Sequence, residues 1–263
     1  MDLGIQNKVA LVAASSSGLG KAAALQLSRE GAKLAICARN EEKLSKTREN
    51  IAAETGGVVQ TYTADVTQQV QVNRMVADIV SNLGSIDILI CNAGGPPPGF
   101  VDDFTPDDYR SAVELNLMST ISLCYEAIPH MKKNRWGRIV CVTSVSAKQP
   151  IPNLILSNTA RAGVLGFAKS LSEQVASYGI TVNSVCPGYT KTERVEGLAQ
   201  SYIDSGKGTQ EDFYKTIEAS IPMKRLGTTE EFAHTVAFLA SEGAGYITGV
   251  ALQIDGGYIK SLF

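Results

Sequence analysis

The feature that most constrains the fold is a regular alternation of short apolar runs with longer amphipathic stretches. The apolar runs predict strands at residues 8–13, 33–38, 58–63, 87–91, 138–143, 181–185 and 250–254. The amphipathic stretches predict helices at 19–30, 41–54, 68–83, 106–131, 154–178 and 229–240. Several strands are apolar and β-branched throughout, which suits a parallel sheet buried on both faces. Repeated βα units therefore predict an α/β fold with one doubly wound parallel sheet of about seven strands and helices on both faces.

The chain is expected to form one domain over residues 1–263, because no linker or low-complexity segment divides it. The stretch 193–223 departs from the alternation, since it contains no predicted strand. Its apolar residues recur at helical spacing: Val195, Leu198, Tyr202, Phe213 and Ile217. Two interpretations stay open, a surface helical insertion or a helical lid over a binding site. Long segments at the carboxyl ends of strands often form binding sites in such folds, which favours the lid.

Composition excludes several classes of protein. Of the 263 residues, 44% are apolar and 19% charged, which is typical of a globular protein. A net charge of −2 disfavours a nucleic-acid partner bound through phosphate neutralisation. Five cysteines without C-x-x-C spacing predict buried reduced thiols, and two histidines offer no His-rich metal site. With neither a signal peptide nor an apolar run of ~18 residues, we expect a cytoplasmic protein without a metal or a membrane partner.

The first predicted strand leads into a turn of small residues at 13–20, Ala-Ala-Ser-Ser-Ser-Gly-Leu-Gly. In dinucleotide-binding folds, glycines in this turn let the backbone approach a pyrophosphate, which rests on the amides of the helix N-terminus. Ala14 places a Cβ where the turn favours none, which narrows its backbone angles. The candidate cofactor-binding residues here are Ser15, Ser17, Gly18, Leu19 and Gly20.

The end of the second predicted strand bears on which dinucleotide binds. An acidic residue there would accept hydrogen bonds from a ribose 2′-hydroxyl and repel a 2′-phosphate. The chain has Cys-Ala-Arg-Asn at 37–40, with no acid before Glu41. Arg39 can pair with a phosphate through charge-assisted hydrogen bonds, or it can be a solvated residue at a helix start. The pattern favours NADP(H), and NAD(H) stays open as an alternative.

Further motifs follow the strand ends in a fixed order. They are Asp65-Val66, Asn92-Ala93-Gly94, Asn116 in a predicted helix, Pro187-Gly188-Tyr189-Thr190-Lys191-Thr192 and Ile254-Asp255-Gly256-Gly257. In this order and at this spacing, they resemble the motifs of short-chain dehydrogenases/reductases along nearly the whole chain. The general similarity is to 3-oxoacyl-(acyl-carrier-protein) reductases.

The resemblance implies a Rossmann-type sheet and an oxidoreductase that acts on a small-molecule substrate. It also implies a homo-oligomer, commonly a tetramer. Asp65 would lie at the adenine ring, and the Pro-Gly segment would contact the nicotinamide side. The residues that the resemblance assigns to cofactor binding are Asp65, Val66, Asn92, Ala93, Gly94, Pro187, Gly188, Thr190 and Thr192.

The catalytic Tyr-x-x-x-Lys pair of that family is replaced in this sequence. Ser144 matches the family's catalytic serine and Asn116 its helix asparagine, but the Tyr and Lys positions hold Ser157 and Arg161. None of the nine tyrosines is followed by a lysine four residues later. The predicted catalytic set is therefore Ser144, Asn116, Ser157 and Arg161.

These replacements change the available chemistry. A serine hydroxyl is a far weaker acid than a phenol, whose pKa is about 10. Arginine stays protonated, so Arg161 can bind ribose or an oxyanion but cannot readily release a proton. Positions 157 and 161 lie one helical turn apart, so both side chains should face the cleft.

Three outcomes stay open for this altered site. The first is a slowed reductase whose proton comes through Ser157, Ser144 and water, since general acid catalysis is worth ~10²–10⁴-fold. The second is a reductase of quinone-like or conjugated acceptors, which need little acid help. The third is a catalytically silent NADP(H)-binding protein, a sensor or an oligomer partner. The intact Ser144, the nicotinamide-side segment and the lid favour retained chemistry.

Three other features bear on the substrate side. Tyr189 is a substitute acid or a packed aromatic residue, and Lys148 is a loop charge or a stand-in for the missing lysine. The stiff loop 94–99, Gly-Gly-Pro-Pro-Pro-Gly, forms a rigid wall of the pocket or a covering turn without ligand contact.

Overall fold

Seven parallel strands form one continuous sheet in the computed structural model, which describes residues 2–262. The strands are β1 (Val9–Val12), β2 (Lys33–Ala38), β3 (Val59–Thr63), β4 (Ile88–Cys91), β5 (Gly137–Val142), β6 (Ile180–Pro187) and β7 (Ala251–Ile254). Their order in the sheet is β3-β2-β1-β4-β5-β6-β7, and every neighbouring pair is parallel. The winding direction reverses between β1 and β4, which is where ligands bind in open α/β sheets. The predicted doubly wound sheet is confirmed.

Helices cover both faces of this sheet. They are α1 (Gly18–Arg29), α2 (Glu41–Thr55), α3 (Gln69–Leu83), α4 (Pro106–Val113), α5 (Ser119–Asn134), α6 (Ile155–Val175), α7 (Glu193–Asp204), α8 (Gln210–Ser220) and α9 (Thr229–Leu239). Alternate residues of β1 enter different cores: Leu11 packs with residues of α3, α5 and α6, and Val12 with residues of α1, α2 and α9. This period-two alternation explains why the strands are apolar throughout.

The continuous helix predicted over 106–131 is wrong in one respect. The structure divides it into α4, a π-helical segment (Glu114–Met118) and α5. The Asn116 side chain donates from Nδ2 to the Gly94 carbonyl at 2.9 Å, and Thr120 Oγ1 donates to the Asn116 carbonyl at 2.9 Å. A π-helical turn inserts one residue into a helix, and such turns are frequent at functional sites.

The predicted helices within 193–223 are confirmed as α7 and α8. They pack over a small apolar cluster of their own that includes Val195, Ile217, Ile221 and Leu226. Whether this segment acts as a lid stays a prediction. Within residues 2–262, no helix is long and apolar enough to cross a membrane. All five cysteines are buried and free, as their positions in apolar runs predict.

Candidate active site

The carboxyl ends of the strands open into a cavity of about 680 Å³. Most predicted site residues line it: Ser17, Gly18, Leu19, Arg39, Asp65, Val66, Asn92, Ala93, Gly94, Ser144, Ser157, Arg161, Pro187, Gly188, Thr190 and Thr192. Three predicted residues, Ser15, Gly20 and Asn116, are buried and are not part of the lining. The structure thus gathers motifs that are far apart in the sequence around one space.

Ser15 and Gly20 stabilise the turn between β1 and α1 from the side away from the cavity. The Ser15 hydroxyl donates to the carbonyls of Val12 at 3.0 Å and Cys37 at 3.3 Å, so it joins β1 to β2 and is turned away from the cavity. A Cβ at Gly20 would collide with the Ala14 carbonyl oxygen and lie 2.8 Å from Asn92 Nδ2. Glycine is therefore required at position 20 for close packing of helix against turn, not for contact with a ligand.

The turn between β1 and α1 fits a dinucleotide pyrophosphate. Ser17, the N-cap residue of α1, makes no side-chain capping bond, so the first-turn amides beside the cavity lack a cap. Asn92 Nδ2 donates to the carbonyls of Ala13 and Ala14, at 3.3 Å each, and ties the end of β4 to the turn. Uncapped amides at a helix N-terminus attract anions, which is what a bound pyrophosphate would use here.

The far end of the cavity, beyond β2, carries positive charge. Arg39, Asn40 and Lys43 line it. The Asn40 side chain accepts from the Lys43 amide at 2.8 Å and caps α2. No acidic side chain of α2 lines this end, so a 2′-phosphate would meet two cations there. Lys43 is not among the predicted site residues, although it follows Arg39 by about one helical turn.

Asp65 follows β3 at the edge of the same cavity. Its Oδ1 accepts hydrogen bonds from the Thr67 amide at 3.0 Å and the Thr67 hydroxyl at 2.8 Å. The carboxylate therefore stabilises the turn that leads into α3, and that turn places Val66 in the lining.

Three serines lie close together at the part of the cavity that contains Ser144, Ser157 and Arg161, here called the chemical end. The half-buried Ser144 accepts a hydrogen bond at Oγ from the Ser146 amide at 3.1 Å. The Ser146 and Ser157 hydroxyl oxygens lie 3.3 Å apart, and both side chains are buried. Ser157 thus has a protein partner, and Ser146, which the sequence did not single out, supplies it.

Arg161 lies one turn along α6 from Ser157, and both line the cavity as their spacing predicts. Its Nη1 donates to the carbonyls of Thr143 at 2.8 Å and Val142 at 3.2 Å, so the guanidinium is anchored to the end of β5. Burial, together with the positive charge of Arg194, lowers the pKa of Arg161 to about 10. The side chain therefore keeps its charge at neutral pH.

Asn116 is fixed by the π-helical segment behind the cavity. Its Nδ2 donates a hydrogen bond to the Gly94 carbonyl, while its Oδ1 is buried without a hydrogen-bond partner in the described residues. A buried unpaired carbonyl oxygen is rare in folded proteins and points to an unmet acceptor beside the Asn-Ala-Gly loop.

Tyr189 and Lys148, the two candidate substitutes for the missing pair, differ in their position relative to the cavity, and a role for Tyr189 as an acid stays a prediction. Tyr189 lines the cavity with its ring edge-on to Tyr258, 5.6 Å between centroids. Burial, with a smaller effect of Tyr258, raises the pKa of Tyr189 to about 12, which makes it a weaker acid than an ordinary phenol. Lys148 Nζ donates to the Ala251 carbonyl at 3.2 Å and is not part of the lining.

Helix α7 closes over the loop 94–99. Arg194 Nη2 donates to the Pro96 carbonyl at 2.7 Å, and its guanidinium lies against Gly95, where a Cβ would come within 3.2 Å. Gly94 and Gly95 line the cavity, whereas the three prolines do not. The first two residues of the loop therefore form part of the cavity wall, and the three prolines lie outside the lining.

Comparison with known proteins identifies the family over nearly the full length of the chain. A family model described as enoyl-(acyl carrier protein) reductase matches residues 13–259. The 3-oxoacyl-(acyl-carrier-protein) reductase of Haemophilus influenzae is 36% identical over 257 residues, 98% of this chain and 100% of that protein. The chain belongs to the short-chain dehydrogenase/reductase family. Membership in this family makes it an oxidoreductase by class.

Two solved structures share the whole fold. L-sorbose reductase from Gluconobacter frateurii, solved with NADPH and L-sorbose, has a TM-score of 0.95 at 30% identity, and each chain is covered completely. YwfH, an NADPH-dependent reductase involved in bacilysin biosynthesis, has a TM-score of 0.92 at 33% identity over 97% of this chain and 99% of that one. Since these relatives act in different chemical settings, they do not identify a substrate.

The lining contains residues that sequence reasoning missed. They are Ser16, Asn40, Lys43, Leu115, Leu154, Glu193 and Arg194, among others. Asn40 and Lys43 carry a detectable signal, since both lie close to Arg39 at the start of α2. Leu115 and Leu154 carry none, because apolar residues on helices are ordinarily core. Within residues 2–262, no group of three or more His, Cys, Asp or Glu side chains is placed to hold a metal ion.

Proposed function

We propose that the protein is an NADP(H)-dependent oxidoreductase that reduces a carbonyl, or oxidises an alcohol, on a small molecule through an altered proton-transfer route. The supporting observation is a single cavity that joins the uncapped end of α1 and the cations Arg39 and Lys43 to Ser144 and Arg161. The NADPH named for L-sorbose reductase and for YwfH supports the same choice of cofactor. NAD(H) is the weaker alternative, because no acidic residue follows β2 in the lining, and Asp65 after β3 is hydrogen-bonded to Thr67.

Each part of the cavity then has a task. When bound, the dinucleotide supplies or accepts the hydride. The amides of α1 hold its pyrophosphate, and Arg39 and Lys43 hold its 2′-phosphate. Ser144 donates a hydrogen bond to the substrate oxygen, which orients the reacting carbonyl.

Proton delivery is the altered step. Ser157 is bonded to Ser146 and is a poor acid, so it relays a proton from water rather than supplying one of its own. Arg161 stabilises negative charge that develops on the substrate oxygen, because its guanidinium remains protonated. Acceptors whose hydride adduct is weakly basic, such as quinones or conjugated carbonyls, suit this arrangement best.

The cofactor assignment is tested by titrating the protein with NADPH and NADH. We expect Arg39→Asp to weaken NADPH binding far more than NADH binding, because it replaces a phosphate partner with a repelling carboxylate. Arg48→Asp, on the exposed side of α2 and outside the cavity, is the charge-matched control. Equal losses for both dinucleotides with Arg39→Asp would contradict the assignment.

Stopped-flow mixing with an o-quinone and with a 3-oxoacyl thioester then tests the chemistry. Oxidation of bound NADPH by either acceptor supports the oxidoreductase, and a quinone-only response supports the route without a phenol. The second candidate is a catalytically silent NADP(H)-binding protein, a sensor or an oligomer partner. The loss of both Tyr and Lys favours it, and tight NADPH binding without turnover across a broad carbonyl panel would establish it.

We further propose a cytoplasmic homo-oligomer, a tetramer by analogy with the family, built from one domain over residues 1–263. In this proposal α7 and α8 form the lid, and the Arg194 contact with Pro96 holds it against the loop 94–99. A scattering mass equal to one chain would contradict the oligomer.

A further inference from the structure

Two arginines in the cavity lack an acidic partner. Arg161 and Arg194 both line it, yet neither takes part in any ion pair of the described residues. Their protein hydrogen bonds go only to main-chain carbonyls, at the end of β5 and at Pro96. Arg161 is buried, whereas Arg194 keeps contact with solvent. A buried charge is normally paired, so the unpaired Arg161 is unusual.

The two positive charges also act on each other. Burial is the main cause that lowers the pKa of Arg161, and the charge of Arg194 is the second. Partial burial lowers the pKa of Arg194 in the same direction. No carboxylate is among the causes for either group. The chemical end of the cavity therefore carries positive charge that the protein does not compensate.

The acidic residues of the lining do not change this result. Asp65 directs its carboxylate to the Thr67 turn at the far side of the cavity. Glu193 precedes Arg194 on α7 and makes no ion pair with either arginine in the described residues.

Both guanidinium groups retain free donors. Each has five N–H donors, and each bonds to the protein through one terminal nitrogen only, Nη1 of Arg161 and Nη2 of Arg194. The remaining donors have no protein acceptor within residues 2–262. A guanidinium fork matches the two oxygens of a carboxylate better than any other common partner except a phosphate.

The position of the pair is set by two separate elements. Arg161 projects from α6 beside Ser157, and Arg194 descends from α7 onto Gly95. An anion that meets both would lie next to the serines that orient the reacting group. We propose that the substrate carries a carboxylate close to its reacting carbonyl, and that Arg161 and Arg194 bind this carboxylate. The inference rests on the proposed oxidoreductase function and names its substrate class.

The direct test compares benzoylformate with its methyl ester, which share the reacting carbonyl and differ in charge. We expect the cofactor-saturated protein to favour the acid. Arg194→Gln should raise the KM or Kd for the acid by about 10- to 100-fold more than for the ester, the range for a hydrogen bond to a charged group. Arg194→Lys should lose less, since it keeps the charge. Arg110→Gln, an exposed arginine paired with Asp107, is the matched control.

Two results would overturn the proposal. One is equal binding of acid and ester by the wild-type protein, or equal losses of both in Arg194→Gln. The other is a matching loss of NADPH affinity in Arg194→Gln, which would assign the arginine to a cofactor phosphate instead.

Calorimetry with benzoate separates this inference from the proposed function, because it needs no turnover. If benzoate binds in an Arg194-dependent way while no acceptor oxidises NADPH, the anion site stands and the oxidoreductase fails. If neutral acceptors turn over while benzoate binds neither the wild-type protein nor Arg194→Lys, the oxidoreductase stands and the carboxylate site fails.

Discussion

Ala14 lies in the turn between β1 and α1 at a position where a glycine is expected. Its backbone nevertheless adopts the conformation that glycine favours. Its φ is +47°, in the left-handed region that favours glycine, and the residue lies in the wall of the cofactor end of the cavity. The neighbouring Ala13 is fully buried and does not have a positive φ. The same substitution at these two positions should therefore have opposite effects on stability.

The magnitudes follow from the backbone and the methyl group. A left-handed conformation costs a residue with a Cβ about 1–2 kcal/mol, and glycine costs about 0.5–1 kcal/mol in chain entropy. Ala14→Gly should thus stabilise the fold by about 0.5–1 kcal/mol. Ala13→Gly loses a buried methyl worth about 0.8 kcal/mol and adds the entropy cost, a loss of about 1.5 kcal/mol. The two variants should differ by roughly 2 kcal/mol, or about 4–8 °C in Tm.

The assay is thermal melting of both variants without cofactor and at one protein concentration, since ligands and assembly shift Tm. Urea unfolding supplies the free energies independently of heating. If Ala14→Gly melts at or below Ala13→Gly, the left-handed strain at this turn does not exist and the reasoning fails.

Two further predictions concern binding and chemistry. Gly20→Ala should abolish tight NADPH binding, because its Cβ would collide with the Ala14 carbonyl; Gly166→Ala, in open space on α6, should leave the Kd unchanged. Isothermal titration measures both, and unaltered affinity in Gly20→Ala would contradict the assigned turn. The double variant Ser157→Tyr with Arg161→Lys should speed reduction of neutral ketones by up to about 10²–10⁴-fold through a restored acid. Unchanged stopped-flow rates would mean that proton transfer does not limit this enzyme.

The sequence predicts the sheet well because its signal is local. Each strand is a contiguous apolar run, and parallel pairing brings all the carboxyl ends to one edge without further information. The π-helical segment at Glu114–Met118 is the counterexample. Asn116 within this segment contacts Gly94, a contact between distant parts of the chain that periodicity cannot reveal.

The difference between local and long-range signals also separates the predicted site residues from those that were missed. Motifs that follow strand ends, such as Arg39 and Asn92, are found because strand position fixes their location. Ser146 and Arg194 are missed because their importance comes from partners, the Ser157 hydroxyl and the Pro96 carbonyl, that only the folded chain supplies. Ser15 shows the converse, since a residue inside the right motif directs its hydroxyl to the backbone instead.

The exchange of lysine for arginine at position 161 has a physical logic that follows from Arg194. Burial and that neighbouring charge lower the pKa of Arg161 to about 10, which still leaves it protonated at neutral pH. An ordinary lysine begins near 10.4, so a comparable drop would bring its pKa closer to neutral and let it lose charge at mildly alkaline pH, where Arg161 stays charged. A guanidinium therefore keeps a fixed charge where an ammonium would titrate. Under the proposed function, Ser157 in place of the phenol removes a proton donor while Arg161 supplies a fixed positive charge, a combination that would suit the proposed anionic substrate.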